Sequence, residues 1–289
     1  MSFLLALTSG IALGGVYALM SAGLSLIFGI MRLANFAQGD FVMLGMYGAY
    51  LAWHAWGWNP YAAAIPVAVV IFLFGGGIEL GLIERLPIGN HNPQLLLTLG
   101  LSLVLENGVT ALKGSTPYIV STSYSDSYFQ PVHGLLIPKA QIYAGAASIL
   151  AMGALYLLLN YTRLGQAMRA TADDSDAASW VGINTRRMRG LGFGLGVGIA
   201  AAAGAILVTF NTVTPTAGQN FLFIMFVSVV LGGVGSIPGS VAGAFLVGIV
   251  QSLGTLVLPL QWDNGIVYLL LLLVLLVRPS GLFGLRARV

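Results

Sequence analysis

Apolar stretches near the length of a membrane span, about 20 residues, recur from one end of this 289-residue chain to the other. Only 7% of its residues are charged and 57% are hydrophobic, against ~25% charged in an ordinary soluble domain. No soluble fold of this length covers its surface with so few charges. In lipid every backbone N–H and C=O needs a partner within the protein, which leaves helices and closed barrels as spanning elements. The runs do not alternate residue by residue as barrel strands do. The sequence therefore predicts an all-α, polytopic helical membrane protein, with residues 1–289 forming a single transmembrane domain.

Nine hydrophobic segments can be drawn: Phe3–Ile30, Phe41–Trp56, Tyr61–Ile83, Gln94–Leu112, Gln141–Asn160, Gly190–Phe210, Phe221–Leu231, Ser240–Leu258 and Gly265–Val277. At 1.5 Å per residue the seventh and ninth are short for a ~30 Å core, so eight to nine spans are expected, with broken helices among them. The first segment is too long for a cleaved signal peptide and reads as a retained span. A polar island, Thr162 to Arg189, carries five of the chain's twelve basic residues (Arg163, Arg169, Arg186, Arg187 and Arg189). The positive-inside rule puts it in the cytoplasm. Arg278, Arg286 and Arg288 put the C-terminus there too, and counting back puts the N-terminus outside. The external loop Gly114–Pro138, rich in Ser, Thr and Tyr, suits a solvated cap or a partner surface.

Several chemistries are excluded. Without cysteine there are no disulfides, thiolate metal sites or Cys catalysis. His54, His91 and His133 are scattered without ligand spacing, so no metal site is expected. No Walker loop is present, so this chain is not expected to hydrolyse ATP. No nucleophile–base set can be read, and the net charge of +3, set by anchoring arginines, is no nucleic-acid footprint.

Most of the 39 glycines read as helix packing, as in the ridge Gly235, Gly239, Gly243. Two clusters resist that reading. Asn35-Phe36-Ala37-Gln38-Gly39-Asp40 and Gly232-Gly233-Val234-Gly235-Ser236-Ile237-Pro238-Gly239 both interrupt apolar stretches. Paired interruptions in the two halves of a chain point to a transport pathway. Gly39 and Gly239, 200 residues apart, hint at an internal repeat. Asp40 is read either as the N-cap of the second segment or as pathway lining, and Asn35 and Gln38 as repair of freed backbone or as lining. Ionisable groups inside spans are functional by default. Glu106, with Ser102 one turn before it and Asn107 beside it, is the foremost, while Glu79 and Glu84 read as interfacial, with Arg85 at hand.

Inside the island, Thr171 and Asp174 have capping-box-like spacing. The helix so begun would carry Asp173, Asp174 and Asp176 in its first turns, then Ala177, Ala178, Trp180 and Val181, and end at Gly182. A short helix of small residues with one exposed Trp fits a groove on another protein; equally, it fits the headgroup region of a bilayer.

Asp176-Ala177-Ala178-x3-Gly182 is similar to the cytoplasmic Glu-Ala-Ala-x3-Gly signature of ABC-importer permeases, with Asp for Glu and without the downstream Ile-x-Leu-Pro. Tyr17-Ala18-Leu19, Gly23 to Ile30, Asn35 to Asp40, Arg163 to Ala170, Gly182-Ile183-Asn184, Leu231 to Gly239 and Arg278 to Gly284 resemble, in order, the branched-chain amino-acid ABC permeases, in their shorter subunit type. The resemblance implies a permease subunit of an ATP-driven importer for branched-chain or other hydrophobic amino acids, or a related small solute, in a bacterial inner membrane, paired with a second permease. Two cytoplasmic ATPases holding ATP and Mg, and a periplasmic binding protein, would complete it. The 173–182 helix would then be the ATPase-coupling element. The path would involve Asn35, Gln38, Gly39, Asp40, Ser102, Glu106, Gly232, Gly233, Gly235 and Gly239. The rival reading is an ion-coupled secondary transporter or channel built on Glu106.

Overall fold

The computed structural model describes residues 2–86, 91–125, 127–130, 136–257, 259, 263–278 and 281. Asp126, His133, Arg286, Arg288 and most of the closing motif (Pro279, Ser280 and residues 282–284) fall outside them. Eleven helices are described: α1 Ser2–Met31, α2 Gln38–Trp56, α3 Pro60–Gly81, α4 His91–Lys113, α5 Lys139–Tyr161, α6 Arg163–Asp173, α7 Ser175–Trp180, α8 Thr185–Leu207, α9 Ala217–Gly232, α10 Ile237–Gly254 and α11 Asp263–Val277. Six are long and apolar enough to cross a membrane: α1, α3, α4, α5, α8 and α10. α9 and α11, of 16 and 15 residues, are the short pair expected. Among the described residues the two named strands form a short ribbon, β1 Tyr128–Phe129 with β2 Ile137–Pro138, in the loop expected to be a solvated cap.

α1 and α8 form the buried axis of the bundle. They run in opposite directions and cross where Gly23 faces Gly196: a Cβ on either would collide with the other's carbonyl oxygen. α10 lies along α1 and α3 lies along α8, the two most extensive helix pairings in the molecule. The chain repeats one plan twice: a long central helix, an irregular stretch, a helix, a turn and a third helix (α1–α2–α3, then α8–α9–α10). The third helix of each repeat packs on the first helix of the other. Because α1 opposes α8, the two repeats are inverted. Their register pairs Gly23 with Gly196 and Gly39 with Gly218, so the 200-residue spacing of Gly39 and Gly239 is not the one the fold uses. Gly239 instead faces Gly232 across the α9–α10 turn, and Gly243 faces Ser228, which is the packing role read for that ridge.

Local sequence sets the ends. Asn59 caps α3 by accepting from the Tyr61 N–H at 3.1 Å, with Pro60 in its first turn. Ser236 caps α10 from the Gly239 N–H at 3.2 Å. Arg32 ends α1 in a left-handed conformation, φ 53°, returning its N–H to the Phe28 carbonyl. At the end of the bundle away from α6 and α7, the 114–138 loop is laced down. Tyr118 pairs with Val213, Tyr124 donates to Asn59 and Ser125 donates to the Thr209 carbonyl. α4 and α11 lie on the periphery, with Leu96, Leu103, Val104, Leu272 and Leu276 exposed.

Gly23 tests the central crossing. A Gly23→Leu variant should fold poorly, with lower yield and a melting temperature in detergent reduced by several degrees or more, since overpacking costs ~1–3 kcal/mol. Gly77→Leu, where a side chain would meet nothing within 4 Å, should melt like the parent. Equal melting of all three would show that the crossing is not close-packed.

Candidate functional site

The Asn35–Asp40 interruption does not lie at an end of the bundle. The Gln38 side chain donates to the carbonyl of Gly196, near the middle of α8, at 3.1 Å. Gln38 also accepts from the Asn35 amide at 3.0 Å, and Asn35 in turn accepts from the Ala37 N–H at 3.1 Å. Both side chains are fully buried. They repair freed backbone in the bundle interior, as lipid would demand. α2 thus starts halfway through the layer of helices.

α9 starts at the same depth from the other direction. Gly39 and Gly218 touch backbone to backbone, so the N-termini of α2 and α9 meet head to head. Neither helix has a side-chain N-cap. Asp40 is not the N-cap of α2: position 37 is, and Asp40 sits inside the first turn, 2% exposed. Its carboxylate lies over Gly218, with Oδ1 lacking a hydrogen-bond partner among the described residues.

α4 brings two more polar groups here. Ser102 lies beside the Asp40 carboxylate. One turn on, Glu106 accepts from the Gln219 side chain at 2.7 Å. The spacing of four places both on one face of α4. Gln219 and Asn220 are exposed, and Ser102 and Glu106 half-buried. Asn35, Gln38, Gly39, Asp40, Ser102 and Glu106 lie together at this junction, and Gly218 and Gln219 join them. The missed signal was present: Gly218-Gln219-Asn220 echoes the Gln38-Gly39-Asp40 pattern of a polar Gly break before an apolar run. Gly232, Gly233, Gly235 and Gly239 are not part of this cluster. They form the α9–α10 turn, at the opposite end of α9, roughly 20 Å away at 1.5 Å per residue.

The polar island comprises two short helices, α6 and α7, and the start of α8, which carries Arg186, Arg187 and Arg189. α6 is capped by Thr162, which accepts from the Gly165 N–H at 3.1 Å. Arg169 ties α6 to the end of α5 by donating to the Leu159 carbonyl and to Asn160 Oδ1. Thr171 is not a cap: it is buried within α6 and donates to the Ala167 carbonyl. The break falls at Asp174, whose carboxylate caps α7 by accepting from the Asp176 and Ala177 N–H groups at 2.9 and 3.0 Å. Asp173 accordingly closes α6 rather than opening α7. Gly182, φ 86°, ends α7: its N–H reaches the Ser179 carbonyl and the Ile183 N–H reaches that of Ala178, a Schellman closure. Ala178 faces inward at 4% exposure, whereas Trp180 is 84% exposed and Val181 stands out beside it. The large apolar groups exposed here are thus Trp180 and, just after α7, Val181.

Of the other acids, Glu84 pairs with Arg186 at 2.6 Å, not with Arg85. Glu79 is buried beside Arg189, with Oε2 lacking a hydrogen-bond partner among the described residues. No group of three metal-ligating side chains occurs among the described residues.

The Asp174 cap predicts that Asp174→Ala weakens α7 by ~1 kcal/mol, while Asp174→Asn or Asp174→Ser retains most of the helix. Protease accessibility of the 174–182 segment should rise for Ala alone. Equal accessibility for all three would show that the cap does not hold the helix.

Comparison with known proteins supplies the family. Residues 6–275 match the family described as branched-chain amino acid transport system, permease component. The chain is 33% identical to the high-affinity branched-chain amino acid transport system permease protein LivH of Escherichia coli K12, over 98% of this chain and 96% of that protein. Identity to the BraD permease of Pseudomonas aeruginosa is 31% over the same shares. The fructose import permease protein FrcC of Rhizobium meliloti is 27% identical over 88% of this chain and 70% of its own length. No solved structure matches the chain. ABC-importer permeases work with ATPases and a solute-binding protein, which displaces the ion-coupled reading of Glu106. The chain belongs to the branched-chain amino acid permease family and is a multi-pass membrane subunit of an ABC importer, not an enzyme.

Proposed function

We propose that this chain forms one half of the path by which branched-chain or other hydrophobic amino acids enter a bacterial cell. It crosses the inner membrane eight or nine times, N-terminus outside and C-terminus inside, as one permease domain over residues 1–289. Its partners are a second homologous permease, two cytoplasmic ATPases that hold the ATP and Mg, and a periplasmic binding protein. The chain itself carries no cofactor.

The observation that supports this reading best is the head-to-head junction of α2 and α9. Two helix starts inside the bundle, with Asp40, Ser102, Glu106 and Gln219 around them, are a costly arrangement in lipid. Unsatisfied backbone there costs several kcal/mol per group. Such breaks persist where they line a cavity or are covered by protein. The exposed polar groups at this depth, Gln219 and Asn220, would face the second permease and the aqueous path between them. Leu222 and, on α4, Leu101 and Leu105 add apolar surface beside them, which suits an aliphatic side chain. The names of LivH and BraD support the solute class.

α7 supports the coupling role. Asp174 and Gly182 fix a short rigid helix, and Trp180 and Val181 project from it as large exposed apolar groups. α8 follows directly from α7 and reaches the junction through the Gly196–Gln38 bond, so a push on α7 has a short mechanical route to the path.

Trp180→Ala should leave assembly of the complex intact while cutting solute-stimulated uptake tenfold or more. It is a cleaner test than Ala178→Trp, because Ala178 faces the chain's own bundle. Unchanged uptake by the Trp180 variant would remove α7 as the docking element. Topology is separately checkable, since the chain has no native cysteine. A Cys at Ser175 should react with impermeant reagent only from the cytoplasm, and one at Ser125 only from outside. Reaction from a common side would overturn the span count.

A further inference from the structure

Two carboxylates, Asp40 and Glu106, lie close together at the α2–α9 junction. Neither is in an ion pair; among the described residues the one ion pair is Arg186 with Glu84. The helix starts that face them carry roughly half a positive charge each, about one charge for the two. With both carboxylates charged, that sum leaves about one negative charge without a counter-charge. Uncompensated charge at this depth is expensive, so two acids with no basic partner among the described residues are met either by a proton or by one monovalent cationic group.

The geometry shows where such a group would sit. Asp40 is closed off behind Gly218, with Oδ1 unpartnered. Glu106 is half-buried and reaches the surface beside Gln219, Asn220 and Asn107, all exposed. Gln219 donates to Glu106 Oε2, which orients the carboxylate and leaves its other oxygen free to accept. Ser102, beside Asp40, lies one turn before Glu106 on the same face of α4.

We propose that Glu106, backed by the charge of Asp40, is the contact that recognises the ammonium group of a translocated α-amino acid. The proposal rests on the importer reading above and gives that reading a basis for preferring amino acids over neutral solutes of similar size. Glu106 touches the ammonium through a charge-assisted hydrogen bond. Asp40 is a positioning residue: it holds negative potential behind Glu106, with Ser102 beside it. An inorganic cation has the same charge, and the test separates the two.

The experiment uses the whole complex, with its partner permease, ATPases and binding protein, in liposomes, and measures ATP-driven uptake of radiolabelled leucine alongside ATP hydrolysis. Glu106→Gln keeps a hydrogen bond to Gln219 and removes only the charge, whereas Glu106→Leu removes both. Both should lower leucine uptake tenfold or more, with ATP hydrolysis stimulated by loaded binding protein staying within twofold of wild type. Glu106→Asp should recover part of the uptake. Near-wild-type uptake by Glu106→Gln would overturn the proposal, since the residue would then be only a tie between α4 and α9. A parallel fall of uptake and ATP hydrolysis would also overturn it, placing Glu106 in the assembly of the bundle. So would a wild-type requirement for sodium over choline in the buffer, which would assign the site to an inorganic cation. These outcomes leave the importer reading standing. If the wild-type complex moved a sugar or an amide but no leucine, the substrate reading and this inference would fall together.

Discussion

Backbone-to-backbone contact between glycines holds this bundle in the form it has. Lipid tails are as apolar as leucine, so helices in a bilayer gain little from hiding apolar surface. They associate through close packing and interhelical hydrogen bonds. At Gly23 and Gly196, at Gly39 and Gly218, and at Gly45 against Ala201, one helix lies so near another that no side chain fits between. These approaches place α1 across α8 and bring α2 onto α9. The inverted pairing of α10 with α1 and α3 with α8 follows from that central crossing. The polar junction exists only because the two helix starts are allowed to touch.

The junction concentrates the electrostatic interest of the molecule in a small volume. Asn35 and Gln38 absorb the freed backbone of the first break, so Asp40 and Glu106 are not needed for that repair. α4, loosely packed otherwise, is tied to the bundle through Ser102 and Glu106. Those ties are side-chain contacts between three separate helices, and side-chain contacts exchange partners at far lower cost than packed cores rearrange. At the other end of α8, the Asp174 cap and the Gly182 closure make α7 a rigid tab on the start of that helix.

Several details show why sequence reading reached some residues and missed others. Asp40, Ser102 and Glu106 were legible because a polar group inside an apolar run has few innocent explanations. Gly218 and Gln219 were missed because they lie at the start of a short segment, where polar residues read as loop. The capping of the island was misplaced by three residues: Thr171 and Asp174 both have N-cap chemistry, and only the fold buries Thr171 inside α6. Ala178 looked like a docking residue by its size, yet it turns inward. The short helix was periodic enough to be found and too short to show which side faced the bundle.

What the amino-acid order alone determined is the material and the inventory: apolar helices, an Arg-rich island, breaks at Asn35–Asp40 and Gly232–Gly239, and the acids available for chemistry. These follow from local properties, namely hydropathy, charge, and the need of every backbone group for a partner. Only the tertiary structure decided that the Asn35–Asp40 break belongs to a buried junction while the Gly232–Gly239 break is a tight turn. It also decided that Gly39 pairs with Gly218, and that Glu106 meets Gln219 from 113 residues away. The reason is physical. Glycine permits close approach without specifying a partner, and a carboxylate takes any donor within reach. Which partner is chosen depends on how long helices cross, and that is a property of the whole bundle.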